Sequence, residues 1–189
     1  MLLAAGAARR FGANKILAKL TDELSVGLSS ATHLSSAVDT LLVVVRADDA
    51  RSAAHFEAAG YRVVLCTAAA LGMAHSLACG IAASPTSAAW MVALADMPLI
   101  APDTLQALAE SWRRQDRIVL PIHDGRPGHP VIFPARYAAE LQRLSGDRGA
   151  RAVLEAHAGE VLEFVTADAG VLRDIDTLAD LHAATKGKI

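Results

Sequence analysis

The sequence predicts an α/β fold in which a largely parallel sheet is covered by helices on both faces. Short apolar, β-branched runs recur between alanine-rich stretches with helical spacing, and strand and helix alternate along most of the chain. That order builds parallel sheets through crossover connections. Of the 189 residues, 53% are hydrophobic and only 4% aromatic, so the core is made of small side chains that let helices pack closely on a sheet. The length suits one domain, residues 1–189, and no repeat, low-complexity tract or linker divides it.

The first strand is a few apolar residues long and runs into "LAAGAARRFGANK", residues 3–15. Gly6 and Gly12 let the backbone between them turn tightly and present N–H groups, while Arg9, Arg10 and Lys15 surround the turn with positive charge. Such a loop suits an anion. It matches neither G-x-G-x-x-G nor G-x-x-x-x-G-K-[ST], so the dinucleotide and P-loop fingerprints are both missing. Because the chain starts at Met1, this strand reads either as a frayed edge or as one whose true start lies upstream.

Residues 41–45 ("LLVVV") and 61–66 ("YRVVLC") read as the next strands. Between them, residues 48–60 read as a helix with an acidic first turn and Gly60 at its C-terminal cap. In "LGMAHSLACG", residues 71–80, Gly72 precedes an alanine-rich helix that contains Ser76. Free N–H groups at such a helix start hold negative or polar ligand groups, although a plain capped helix accounts for the same residues.

The strand at 90–95 is fully apolar and leads into "LADMP", residues 94–98. In open parallel sheets ligands collect beyond the carboxyl ends of strands, so Asp96 stands where a cleft is expected, with Pro98 stiffening the exit. A carboxylate there offers the hard oxygen that a magnesium ion on nucleotide phosphates needs; a turn or capping aspartate is the plainer alternative. A helix over 101–115 with Pro102 near its start and a strand at 117–121 follow.

"GRPGHP", residues 125–130, reads as a tight turn between strands and carries Arg126 and His129. After a last strand at 161–166, "LRDIDTLADL", residues 172–181, sets Asp174 and Asp176 before a helix whose T-x-x-D start, Thr177 to Asp180, approximates a capping box.

Other classes are disfavoured by composition. A net charge of −2 without a long basic block points away from nucleic acid and anionic membranes as partners. No apolar stretch approaches the roughly 20 residues of a membrane span, and "MLLAAGA" lacks the charged start of a secretory signal, so a cytoplasmic protein is expected. Cys66 and Cys79 lack zinc or disulfide-framework spacing and read as reduced, buried thiols. His55, His75 and His123 show no ligand spacing.

Taken in order, "LAAG", "RFGANK", "GMAHSL", "LADMP", "GRPGHPVIF", "GDRGAR" and "DIDT" with its following "DL" resemble the molybdenum cofactor cytidylyltransferases of the MobA-like NTP transferase family, over almost the whole chain. The resemblance implies a Rossmann-like three-layer α/β/α sandwich and transfer of CMP from CTP to the terminal phosphate of molybdopterin or its molybdenum-loaded form, with loss of pyrophosphate. It implies Mg2+ as cofactor, and a molybdoenzyme or its chaperone as recipient. By the same resemblance Arg10 and Lys15 hold the triphosphate, with Asp96 completing the catalytic set. Leu3, Ala4, Ala5, Gly6, Gly72 and Ser76 line the nucleotide, Asp96 and Asp176 hold the metal with Asp174 as fallback, and Arg126 and His129 contact the pterin.

The chain departs from the family at Ala8, where a serine is usual. Relatives that attach GMP carry a glycine where this chain has Ala5, and the methyl favours the smaller pyrimidine. Guanylyl transfer is the alternative within the same chemistry. An oxidoreductase on this scaffold and a non-catalytic cofactor chaperone are the alternatives outside it.

Overall fold

In a computed structural model of the protein, the structure describes residues 1–6, 11, 14–146 and 149–186. Eight strands form one sheet: β1 (Leu2–Leu3), β2 (Leu42–Arg46), β3 (Arg62–Cys66), β4 (Ala89–Leu94), β5 (Ile118–His123), β6 (Arg126–Pro127), β7 (Val131–Pro134) and β8 (Val161–Val165). The order is β3-β2-β1-β4-β7-β5, with β6 and β8 both paired to β5. From β3 to β4 every pair is parallel, and β5 pairs parallel with β8. Only β6 and β7 run against the rest.

Side-chain alternation along the strands feeds two cores, one on each face. Val43 and Val45 of β2 and Met91 and Ala93 of β4 join Leu34 of α1 (Val26–Ser35), Phe56 of α2 (Ala50–Ala58) and Leu105 and Leu108 of α4 (Pro102–Gln115). Leu42, Val44, Trp90 and Val92 point the other way, to Leu77 and Ile81 of α3 (Met73–Ala82), Leu141 of α5 (Ala138–Arg143) and Val153 of α6 (Arg151–Ala156). The result is the three-layer sandwich, with β2 buried on both sides as its unbroken apolar run requires. A third, smaller cluster of Phe11, Leu20, Val26, Ile175 and Leu181 seats the last helix, α7 (Leu178–Thr185), beside the opening loop.

Local chemistry explains the helix starts. Asp49 caps α2 by accepting from the Ser52 N–H, and Pro102 occupies the first turn of α4, where its missing N–H costs nothing. Thr177 and Asp180 form a full capping box on α7. The turn expected at 125–130 is a longer excursion: β5 hairpins into β6, and the chain re-enters the sheet as β7 between β4 and β5. Prolines at 130 and 134 bracket that four-residue strand and hide it among turn signals.

Cys66 is buried as expected, whereas Cys79 is only partly buried. Burial and the neighbouring Cys66 push the Cys79 thiol up to about 11, so it stays protonated at neutral pH. Among the described residues no helix is long and apolar enough to cross a membrane.

Candidate functional site

The carboxyl ends of β1, β2 and β4 open into a cavity of about 240 Å³. Leu3, Ala4, Ala5, Gly6, Lys15, Gly72, Ser76 and Asp96 all line it. They come from three separate loops, and parallel pairing brings these loops side by side: Leu3 lies opposite Val44 on one side and Leu94 on the other. Arg10, with Arg9 and Gly12, lies outside the described residues. A larger cavity, about 570 Å³, lies at the opposite edge among the starts of β1, β2, β3 and β4. None of the predicted residues line it, and it sits at the amino ends of the strands, where this class of sheet does not collect ligands.

Lys15 is the centre of the charged arrangement. Its side chain is 10% exposed, and its ammonium lies 2.7 Å from Asp96 Oδ2 and 2.8 Å from Asp176 Oδ1. Burial pulls its pKa down, but hydrogen bonds to Asp176 and Asp96 and their charges outweigh burial and hold it above the ordinary lysine value. Asn14 aims it: this residue caps the short 3-10 turn Lys15–Leu17 and donates to Asp49 Oδ2 (2.9 Å) and Ser52 Oγ (2.8 Å) at the start of α2.

Asp96 and Asp176 are eighty residues apart in the chain, yet the fold joins them. The Ile175 N–H donates to the Asp96 carbonyl (2.8 Å), and the Asp180 carboxylate accepts from the Asp176 N–H (3.1 Å) while it caps α7. The capping box and the acidic cluster are therefore one device. Carboxylate oxygens of Asp96, Asp174 and Asp176 lie within 4.8 Å of one another. Burial, and then the charge of Asp176, push Asp174 above the usual carboxylate value. Hard oxygen donors gathered this closely suit a divalent cation.

The helix start is open to the cavity. Gly72 adopts φ 126°, a backbone angle that side chains disfavour, and no side chain caps α3. Ser76, one turn into α3, is 3% exposed and lines the cavity. Its place on the cavity wall sets a hydroxyl within reach of what enters the cavity.

His129 lies beside Asp96 and Asp174 on the other flank. Burial lowers its pKa against the pull of both carboxylates, so the imidazole is neutral, and among the described residues its buried Nδ1 has no hydrogen-bond partner. The backbone N–H of His129 donates to the Val171 carbonyl (2.9 Å), a contact close enough that a methyl on Gly128 would strike the Val171 backbone. Arg126 is exposed on β6 and does not line the cavity.

Six lining residues were not foreseen from sequence: Ile16, Ala69, Ala70, Leu94, Arg46 and Met73, of which Arg46 alone is charged. Arg46 ends β2 at the cavity wall, where Asp48 grips it through Nε–Oδ1 (2.8 Å) and Nη2–Oδ2 (2.6 Å). Met73 opens α3 beside it. Arg46 stands at the end of an apolar strand just as Asp96 does, and the same rule would have found it.

Comparison with known proteins places this geometry among relatives. The MobA-like NTP transferase domain family matches residues 1–161. The purine catabolism protein PucB of Bacillus subtilis (strain 168) is 33% identical over 189 aligned residues, covering 94% of this chain and 90% of that protein. Nicotine blue oxidoreductase of Paenarthrobacter nicotinovorans is 29% identical, covering 96% and 93%. The crystal structure of Rv0371c from Mycobacterium tuberculosis H37Rv superposes with a TM-score of 0.82 at 25% identity over 98% of this chain and 96% of that one. Rv0371c has also been solved in complex with manganese, with a TM-score of 0.78.

Proposed function

The chain belongs to the MobA-like NTP transferase family and is a nucleotidyltransferase, and from that premise we propose that it moves CMP from CTP to the terminal phosphate of molybdopterin or its molybdenum-loaded form. An oxygen of that phosphate attacks the α-phosphorus, the bond between that phosphorus and the α–β bridging oxygen breaks, and pyrophosphate leaves. The observation that carries the reading is the cavity at the carboxyl edge, where eight residues expected to meet nucleotide converge with an acidic cluster.

A phosphate monoester is already a nucleophile at neutral pH, so the protein's task is positioning and charge compensation. Lys15 and Arg10 hold the triphosphate, the start of α3 at Gly72 faces polar groups of the nucleotide, and the Ser76 hydroxyl pairs with the nucleoside. Asp96 and Asp176 hold magnesium, which when bound supplies neutralisation of phosphate charge. The manganese complex of Rv0371c supports a divalent cation in this fold. The neutral His129, whose Nδ1 has no partner among the described residues, meets the heterocycle of the acceptor, and Arg126, exposed on β6 outside the cavity lining, is a second contact to that pterin.

The Ala5 methyl lines the cavity and favours cytosine over guanine. Incubation of purified protein with magnesium, molybdopterin and each nucleoside triphosphate tests the reading. The expected result is pyrophosphate release with CTP and a product mass heavier by a cytidylyl group. A guanylylated product would move the assignment to GTP, and binding without pyrophosphate release would favour a cofactor chaperone.

A further inference from the structure

The Lys15 ammonium bridges two of the three carboxylates that would hold a metal. It sits 2.7 Å from one carboxylate oxygen and 2.8 Å from another, and these belong to Asp96 and Asp176, two members of the acidic cluster. A magnesium ion on the same oxygens requires contacts of about 2.0–2.1 Å and an octahedral shell, which leaves no space for an ammonium between them. On those two oxygens lysine and metal exclude each other.

Resting on the reading of this cleft as a metal-dependent nucleotide site, we propose that Lys15 is a resident substitute for the divalent cation, which it yields only when a triphosphate arrives. Without nucleotide, an incoming cation would have to break ion pairs that are largely removed from solvent and exchange two carboxylate contacts of the ammonium for weaker ones. With nucleotide, the phosphate oxygens receive that ammonium and also complete the metal's shell. The backbone under Lys15 stays fixed, because Asn14 ties the turn to α2, so the exchange needs only rotation about the lysine's own side-chain bonds. Metal and nucleotide binding are thereby coupled through one residue, and such coupling is reciprocal.

The test is Mn2+ binding followed by electron paramagnetic resonance, with and without a non-transferable α,β-methylene analogue of CTP. Wild-type protein is expected to bind Mn2+ weakly alone. Lys15→Met keeps the aliphatic stem and removes the ammonium, and it should bind Mn2+ alone at least about tenfold more tightly, within the usual range of coupling between sites. The gain in Mn2+ affinity that the analogue produces should be smaller in Lys15→Met than in wild type. Thermal unfolding confirms that the variant is folded, and Lys15→Gln replaces it if it is not. Mn2+ affinity unchanged in a folded variant, or an equal analogue effect in both proteins, overturns the exchange. If wild type shows the metal effect but releases no pyrophosphate, the exchange stands and the transfer reading falls. If transfer proceeds and the metal effect is missing, only the exchange falls.

Discussion

The parallel half of the sheet, β3 to β4, and the mixed half built on β7, β5, β6 and β8 meet at the end of β4, and they furnish the cleft in different ways. The parallel half supplies the cavity walls from the ends of successive βα units, each within a few residues of its own strand. The mixed half reaches the same place only by long returns. His129 arrives between β6 and β7, and Asp174 and Asp176 arrive when the chain crosses back from β8 and the Ile175 N–H docks on Asp96. Local connection thus places the residues proposed to meet nucleotide, whereas long-range docking places the proposed metal ligand and acceptor contacts. In this division Asp96 belongs to both halves.

Substitution at that seam carries the largest expected effect. Asp96→Asn and Asp176→Asn should each lower turnover by about 10²–10³, the size of loss seen when one transition-state contact is removed, while circular dichroism shows the fold retained. Steady-state kinetics check it. Asp174→Asn should cost less, because this carboxylate is not paired with Lys15. An equal loss at Asp174 would shift the metal onto a different pair.

Next in size is Lys15→Met on the parallel side. A charge-assisted contact contributes about 1.5–3 kcal/mol, so the KM for CTP should rise roughly 10- to 100-fold, with acceptor KM nearly unchanged. Ser76→Ala removes one neutral hydroxyl that is 3% exposed, and a loss of about 0.5–1.5 kcal/mol should raise the CTP KM a few-fold. If either variant instead moved acceptor KM alone, the division between the halves would fail.

The same division decides how much was legible in the sequence. In the parallel half, strand and helix signals agree: the β2 run is apolar on both faces, Asp49 and Pro102 mark helix starts, and "LADMP" sets an acid at a strand end. There the sheet rule alone puts Asp96 and Gly6 on one edge. The mixed half gives conflicting signals. Val131–Pro134 is too short and too proline-bound to announce a strand, and its antiparallel insertion is a long-range choice that no local pattern encodes. The exception in the parallel half is α1, rich in serine, which disfavours helix interiors; its Ser30 hydroxyl donates to the carbonyl of Val26 within the helix (3.2 Å) and to that of Ala95 across the packing interface (3.0 Å). That Asp96 and Asp176 meet could be stated beforehand only from the family resemblance, since the docking of Ile175 on Asp96 joins residues far apart in the chain.

The smallest effect belongs to the mixed half and separates it from the other. His129→Gln keeps a polar side chain and should raise acceptor KM a few-fold while leaving CTP KM unchanged, as expected for a neutral group that makes one hydrogen bond. It should also change how stability responds to acid. Burial lowers the folded-state pKa of His129 below its ordinary 6.5, so the native state binds this proton less readily than the unfolded chain does. The contribution is fully present above 6.5 and is lost as pH falls through the lowered folded value. Asp174 carries the opposite sign: its carboxyl is raised in the native state, so its destabilising contribution at neutral pH is relieved by protonation as pH falls. Both contributions act in wild type, and only the histidine's is missing in His129→Gln. Thermal midpoints measured from pH 7.5 to pH 5 should therefore fall less in the variant than in wild type. Parallel curves would mean that the imidazole is not held neutral beside the carboxylates, and the acceptor flank would then carry positive charge into the cleft.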